Sequence, residues 1–205
     1  MKRFAAIFLI LFTTLIGVSA SAEPESTPDQ IVHKTADDIL SLIKAHRAEY
    51  AKDTSKLYVM VQEHILPNFD FERMAQWVLG RSWKQANDAQ RKQFVREFQN
   101  VLVRTYSTAL LSYNDQEVHY LPSNFKPDSK ESTVKVEVKQ NNGAPDIPMQ
   151  YMFYKAPTGW RIYDMNIDGV DLVSNYRSIY ASKIRQSGLD GLLASMATAN
   201  KQNKK

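Results

Sequence analysis

Two spacings of hydrophobic residues divide the chain into helical and extended parts. Over residues 27–114, apolar residues recur every three or four positions, which predicts four amphipathic helices. Over residues 118–167 they alternate with polar residues, which predicts β-strands. The helical spacing returns over residues 171–199, with a break at Gly188. Helices, then strands, then helices, with no interdomain linker between them, predict a single α+β domain.

Capping residues set the predicted helix boundaries. Thr27 with Gln30, and Asn87 with Gln90, have capping-box spacing at the starts of the first and fourth helices. The second helix is predicted to start after the N-cap Asp53 and to end at Pro67. The third is predicted to start at the N-cap Asp70 and to end at Gly80. The fourth helix is predicted to continue to about residue 114 as the longest element. One side of it carries Phe94, Phe98, Leu102, Thr105, Ala109 and Tyr113.

The extended region predicts a four-stranded antiparallel sheet against which the helices pack. A short strand near Val118 is followed by the clearest half-buried strand, in which Val134, Val136 and Val138 alternate with charged residues. One face of the next strand carries Ile147, Met149, Tyr151 and Phe153. The last strand starts at Gly159 and breaks at Asp168-Gly169. The helix that follows is predicted to be capped by Asp171.

The N-terminus has the three parts of a secretory signal. Lys2 and Arg3 precede an apolar run, residues 4–18, that is too short to span a membrane comfortably, and Ala20-Ser21-Ala22 is a small-x-small cleavage site. We therefore expect residues 1–22 to be a signal peptide cleaved after Ala22. Residues 23–199 are expected to form the folded, exported and soluble domain, and residues 200–205 a disordered polar tail.

Composition disfavours several classes of function. The chain has no Cys, so neither disulfides nor a lipid anchor on cysteine is expected. The net charge of +4 includes the signal peptide and a lysine-rich tail, which leaves the folded body near neutral and disfavours nucleic-acid binding. The 4 histidines are far apart in sequence, so no metal site is predicted. Neither Gly-x-Ser-x-Gly nor a glycine-rich phosphate loop occurs.

An enzyme that transfers protons in an apolar cavity is the alternative. Its candidate groups are Asp164, the adjacent Tyr163, and Tyr106 on the long helix. Adjacent residues of a regular strand point to opposite faces, so Tyr163 and Asp164 are not expected to line one cavity together. We instead expect Asp164 to accept hydrogen bonds that hold the sheet to a neighbouring helix or loop.

Ordered blocks of residues resemble one protein family. Trp160-Arg161-Ile162-Tyr163-Asp164-Met165, Asp168-Gly169-Val170 and Asn175-Tyr176-Arg177 resemble the C-terminal signature of the MlaC family, also called toluene-tolerance proteins. The central helix pattern of the family is matched by Gly80, Trp83, Gln90, Arg91, Phe94, Phe98, Leu102, Thr105, Tyr106, Leu110 and Tyr113. The resemblance covers most of the chain after the signal sequence. The family usually has Ser at the position of Asp171, and both residues cap helices.

The resemblance implies the same layout, with a deep apolar lipid-binding cavity between the sheet and the helices. It implies a soluble periplasmic carrier that shuttles phospholipid between an outer-membrane lipoprotein complex and the ring protein of an inner-membrane ABC transporter. This transport maintains the lipid asymmetry of the outer membrane. Such a carrier docks transiently on membrane proteins and needs no catalytic residue, cofactor or metal, because the bound phospholipid is its cargo. We expect a monomer that is not an enzyme.

The candidate cavity wall combines the alternating strand face with positions that the resemblance suggests. It consists of Phe98, Leu102, Tyr106, Ile147, Met149, Tyr151, Phe153, Tyr163, Met165 and Val170. Arg161 and Arg177 are candidates for contacts with phosphate near the mouth. A charge placed at Ile147 or Val170 is expected to expel lipid from a protein that stays folded, because acyl chains would desolvate that charge.

Overall fold

Six α-helices and five strands form the described part of the chain, residues 26–113, 116–140 and 143–202, in the computed structural model. The predicted signal peptide lies outside these residues. The helices of the first half are α1 (Pro28–Lys52), α2 (Thr54–His64), α3 (Phe71–Leu79), α4 (Arg81–Gln85) and α5 (Asp88–Ser107). The strands are β1 (Val118–Tyr120), β2 (Glu131–Val138), β3 (Ile147–Ala156), β4 (Gly159–Ile167) and β5 (Val170–Asp171). The last helix is α6 (Leu172–Gln202).

Both predicted capping boxes are present. The Thr27 hydroxyl accepts the N–H of Gln30 at 3.3 Å, and the Gln30 side chain accepts the N–H of Thr27 at 2.9 Å. Asn87 and Gln90 exchange the same two hydrogen bonds at 2.9 and 3.0 Å. These bonds satisfy N–H groups that have no partner within the helix. The starts of α1 and α5 therefore follow from local sequence.

Helix ends differ more from prediction. The long helix was expected to continue to about residue 114, but α5 ends at Ser107 and a 3₁₀ turn, Thr108–Ser112, completes it. The predicted break at Gly188 appears as a bend inside α6, where Gly188 has φ 71°. The expected disordered tail, residues 200–205, is corrected over residues 200–202, since α6 continues to Gln202; residues 203–205 lie outside the described residues. Asn200 of α6 is buried, and its amide donates to the backbone carbonyl of Glu97 at 3.1 Å.

The sheet is antiparallel and keeps chain order, from β1 to β5. It has five strands rather than the four predicted, because Val170 and Asp171 pair with Ile167 and Asn166. The turn between them, Asp168-Gly169, has positive φ at both positions, 51° and 79°, as a tight type I′ hairpin requires. A two-residue strand has too few positions to show an alternation, so sequence periodicity could not reveal it.

A β-bulge interrupts the pairing of β3 with β4. Met152 pairs with Asp164, whereas the next residue, Phe153, pairs with Ile162. Tyr163 is therefore an extra residue on β4 without a partner on β3. The bulge changes which β4 side chains share a face, and this matters for the candidate site.

Three clusters of buried apolar side chains join the helices and the sheet. The helical core joins α3, α5 and α6, and a second cluster joins α1, α2 and α5. The sheet core joins β2, β3 and β4 with the starts of α1 and α6. Phe69 and Tyr106 pack against both the helical core and the sheet core. The backbone N–H of Asp70 donates to the carbonyl of Ile162 at 2.8 Å, which fixes the start of α3 on β4.

Candidate functional site

One face of the sheet, which we call the inner face, is predominantly apolar; its polar groups include the hydroxyls of Tyr151 and of Ser132, which pairs with Phe153. Paired residues in an antiparallel ladder point to the same side. The inner face consists of Val134, Val136, Val138, Ile147, Met149, Tyr151, Phe153, Ile162, Met165 and Ile167. The four β3 residues share one face, as the alternation predicted, and Met165 of the predicted wall lies opposite Tyr151.

The inner face is sealed at one end and open at the other. The sealed end has three side chains that are at most 3% exposed: Val134, Phe153 and Ile162. Phe125 closes this end by packing edge-on against Trp160, with ring centroids 5.6 Å apart. The open end has three half-buried side chains, Val138, Ile147 and Ile167. Val170, paired with Ile167, is 47% exposed beside the open end.

Side chains from three helices cover the inner face. Val32 of α1 and Leu172 of α6 are buried in the sheet core, and Tyr106 of α5 packs against it. Tyr120 of β1 stacks on His33 of α1 with ring centroids 3.4 Å apart. The inner face is therefore a layer between sheet and helices rather than an exposed surface, and it offers predominantly apolar contacts.

Two tyrosines of this layer have strongly raised pKa values. Burial raises the pKa of Tyr151 to about 12, with a smaller contribution from Tyr120. Burial also raises the pKa of Tyr106 to about 12, helped by its hydrogen-bonded neighbour Tyr176. Both phenols therefore stay protonated at neutral pH and are not available as bases.

The α5 residues of the predicted wall do not all reach the inner face. Phe98 is 0% exposed and packs against Phe94, Tyr176 and Tyr180 in the helical core. Leu102 belongs to the same cluster. Of the three α5 residues, only Tyr106 packs against the sheet core as well.

Tyr163 lies on the opposite side of the sheet. Its ring packs edge-on against Trp77 at 5.0 Å and against Tyr154 at 6.1 Å, and the guanidinium of Arg73 lies 5.6 Å from its centre. The expected place of Tyr163 in the wall is corrected for this reason. Regular alternation from Met165 would have brought it to the inner face, but the bulge puts Ile162 there instead.

Asp164 has the structural role that was predicted for it. Its carboxylate is 5% exposed, and one oxygen, Oδ1, accepts the backbone N–H groups of Met165 at 2.8 Å and Val173 at 3.1 Å. The second bond ties β4 to the first turn of α6. Burial raises the pKa of Asp164 to about 7, and the Asp171 carboxyl adds to this, although both N–H donors oppose it. Asp171 in turn accepts the N–H of Ser174 at 2.8 Å, as its predicted cap position requires.

Neither candidate arginine has a contact that places it at the open end. Arg161 lines a pocket of about 420 Å³ beside the turn between β3 and β4, together with Tyr154 and Thr158. This turn is at the sealed end of the sheet, because Arg161 pairs with Tyr154 beyond Phe153. The side chain of Arg177 lies against Gly80, the residue that joins α3 to α4. Contacts of either arginine with phosphate at the mouth are not supported by this placement.

Sequence reasoning missed part of the inner face. Val134 and Val136 had a clear signal, the alternation with charged residues, but were not included in the wall. Ile162 had no such signal, because the spacing of residues in β4 does not indicate the bulge at Tyr163, which packs against Trp77 of α3. Val32 also lacked a sequence signal, because the apolar stripe of an amphipathic helix does not indicate whether it packs against the sheet or against other helices.

Metal-site and membrane-spanning features are both missing from the described ranges. Within them, no three His, Asp or Glu side chains come together as a metal site would require. In the same ranges, no helix is both long and apolar enough to cross a bilayer.

Comparison with known proteins identifies one family. The family model described as MlaC protein matches residues 33–198. The intermembrane phospholipid transport system binding protein MlaC of Haemophilus influenzae is 24% identical over 98% of this chain and 95% of its own length. The toluene tolerance protein ttg2D of Pseudomonas putida is 25% identical over 93% of this chain and 85% of its own length. The structure of a phospholipid-binding protein from Ralstonia solanacearum, solved in complex with a phospholipid, superposes with a TM-score of 0.77. The Ralstonia protein is 32% identical to this chain, and the match covers 85% of this chain and 97% of the Ralstonia chain.

Proposed function

The chain belongs to the MlaC family, and we propose that it is a periplasmic carrier of phospholipid that holds acyl chains against the inner face of its sheet. The observation that supports this most is the inner face itself, which is predominantly apolar, sealed at Phe153 and open at Ile147. A relative from Haemophilus influenzae is named for phospholipid transport, and the Ralstonia protein was solved with a phospholipid bound. The proposed cargo is therefore a phospholipid whose head group stays in water at the open end.

The energetics of acyl chains explain why a carrier is needed. Each methylene exposed to water costs about 0.8 kcal/mol, so a two-chain lipid leaves a membrane slowly unless its tails are covered. An apolar layer open at one end covers tails and leaves the charged head group hydrated. No catalytic residue, cofactor or metal has a part in this function.

The proposed wall is narrower than the one predicted from sequence. It keeps Ile147, Met149, Tyr151, Phe153 and Met165, with Tyr106 on the helical side and Val170 beside the open end. Phe98 and Leu102 support it from the helical core, and Tyr163 is removed from it.

The proposed partners are those that the family name implies. We propose that the mature chain, starting at Glu23, works as a monomer and docks in turn on an outer-membrane lipoprotein complex and on the ring protein of an inner-membrane ABC transporter. The open end must face each partner during transfer, because the lipid enters and leaves there. The enzyme alternative is not favoured, since Asp164 is engaged by two backbone N–H groups and Tyr106 is bonded to Tyr176.

Loading from vesicles tests the proposed function. Delipidated mature protein is incubated with phospholipid vesicles, separated from them by flotation, and analysed for phosphorus and protein. We expect about one phospholipid per protein molecule in the protein fraction, because burial of the acyl chains drives uptake. Protein that stays free of phospholipid under these conditions would contradict the carrier function.

A further inference from the structure

Tyr151 places a polar atom in the middle of the apolar inner face. On neighbouring strands it pairs with Val134 and Met165, and the next inner-face residues along β3 are Met149 and Phe153. All of these neighbours are apolar, and the polar group near enough to contribute to the raised pKa of Tyr151 is the Tyr120 phenol, whose residue pairs with Val136. A phenolic hydroxyl in such surroundings needs a hydrogen-bond acceptor, because desolvating it without one costs free energy.

The structure gives the Tyr151 hydroxyl no acceptor among the residues it describes. Two other tyrosines have a hydrogen-bond partner: Tyr154 donates to Asp70, and Tyr106 is bonded to Tyr176. Among the described residues, the fully buried side-chain N and O atoms that lack a hydrogen-bond partner belong to Arg73, Arg104 and Ser107. The Tyr151 hydroxyl lacks a partner but is not in this group, so it is not fully buried. Tyr151 is only partly buried, so its hydroxyl still reaches space that a small group can enter.

The depth of Tyr151 indicates which part of a lipid it would meet. At about 3.3 Å per residue, the stretch from Ile147 to Phe153 is about 20 Å long, and Tyr151 is about 13 Å from the open end. With the head group in water at the open end, the ester groups lie near Ile147. Tyr151 then lies beside the middle of the acyl chain, where the acceptor that a hydrocarbon can offer is the π-bond of a carbon–carbon double bond.

We propose that the Tyr151 hydroxyl makes the carrier select phospholipids with a cis double bond near the middle of the acyl chain over saturated lipids of the same length. This inference rests on the proposed function and names the class of cargo. A saturated chain leaves the hydroxyl without an acceptor, whereas a mid-chain double bond accepts a weak hydrogen bond from it. The expected preference is about threefold, the size of one weak hydrogen bond.

A competition assay tests the selection. Delipidated mature protein is incubated with vesicles of equal parts dimyristoyl and dimyristoleoyl phosphatidylglycerol, two lipids of equal chain length that differ in one mid-chain double bond per chain. The assay is run at a temperature where both are fluid, and the lipids bound to re-isolated protein are quantified by mass spectrometry. Tyr151→Phe removes the hydroxyl and keeps the ring, while Tyr163→Phe makes the same change on the other side of the sheet.

We expect about threefold enrichment of the unsaturated lipid on the parent protein and on Tyr163→Phe. Tyr151→Phe should carry the two lipids in the ratio of the vesicles. Equal loading of both lipids on the parent, or an enrichment that survives in Tyr151→Phe, would overturn the selection but leave the carrier function standing. An enrichment lost in Tyr163→Phe as well would also overturn it. Failure of the parent to load either lipid would count against the carrier function itself.

Discussion

A Met149→Glu variant should be exported and folded but should carry almost no phospholipid. Met149 lies on the inner face between Val136 and Ile167, two residues from the open end, and it is only partly buried. Water can reach a carboxylate at this depth when no lipid is bound. Acyl chains would desolvate the carboxylate, at a cost on the order of several kcal/mol, so we expect loading from vesicles to fall at least about tenfold.

The same strand supplies the control for this prediction. Gln150 is the next residue and points to the other side of the sheet, so Gln150→Glu adds the same charge without touching the inner face. It should load like the parent. An Ile147→Glu variant should also lose lipid, whereas Val170→Glu should lose less than the sequence suggested, because Val170 is 47% exposed and a charge there can stay in water.

Two outcomes would contradict this account of the inner face. If Met149→Glu does not fold, as judged by circular dichroism, the face is ordinary packed core, because no water reached the charge. If it folds and still carries lipid at the level of Gln150→Glu, Met149 does not contact the cargo.

Asp164→Ala should strongly destabilise the folded protein. It removes the acceptor of two backbone N–H groups, those of Met165 and Val173, at a site that is 5% exposed. Buried donors left without an acceptor cost about 1–3 kcal/mol each, so we expect a loss of about 2–4 kcal/mol in the free energy of unfolding. Urea unfolding followed by circular dichroism measures this loss, and a loss below about 1 kcal/mol would contradict the role of Asp164 at the joint between sheet and helix.

The pH dependence of stability provides a second test at Asp164. Its pKa in the folded protein is raised to about 7 from an ordinary value near 3.8, so the folded state binds the proton more tightly. The stabilisation from this group is therefore complete below about pH 4 and is lost as the pH rises through 7. Between pH 5 and pH 8 the parent should lose about 2–3 kcal/mol more stability than Asp164→Asn, which keeps an acceptor but does not titrate. Identical pH dependence in both proteins would contradict the raised pKa.

The parts of the fold that depend on local sequence were predictable. The capping boxes at Thr27 and Asn87 set the starts of α1 and α5, and the alternation in β3 placed Ile147 and Phe153 on one face. The role of Asp164 was also predicted, because a buried carboxylate in an apolar strand needs donors close to it. The resemblance to the MlaC family added the layout and the proposed function, which local patterns do not contain.

The remaining errors arose where tertiary contacts decide the geometry. The bulge at Tyr163 coincides with α3, where Asp70 bonds to the backbone of Ile162 and Arg73 packs among aromatic rings. No spacing in β4 indicates it, so Tyr163 was placed on the wrong face and Ile162 was missed. Arg161 was misplaced for another reason: its strand was predicted correctly, but the sequence does not tell which end of the sheet is open. That depends on which side chains of α1, α5 and the loop at Phe125 cover the face.

Native mass spectrometry of the mature protein, purified from a bacterial periplasm without detergent, tests the central claim most directly. We expect a chain that starts at Glu23 and carries adducts of phospholipid mass, which are released as intact phospholipids on activation. Protein of the unliganded mass alone, from a preparation that also fails to take up phospholipid from added vesicles, would contradict the claim that this chain carries phospholipid on the inner face of its sheet.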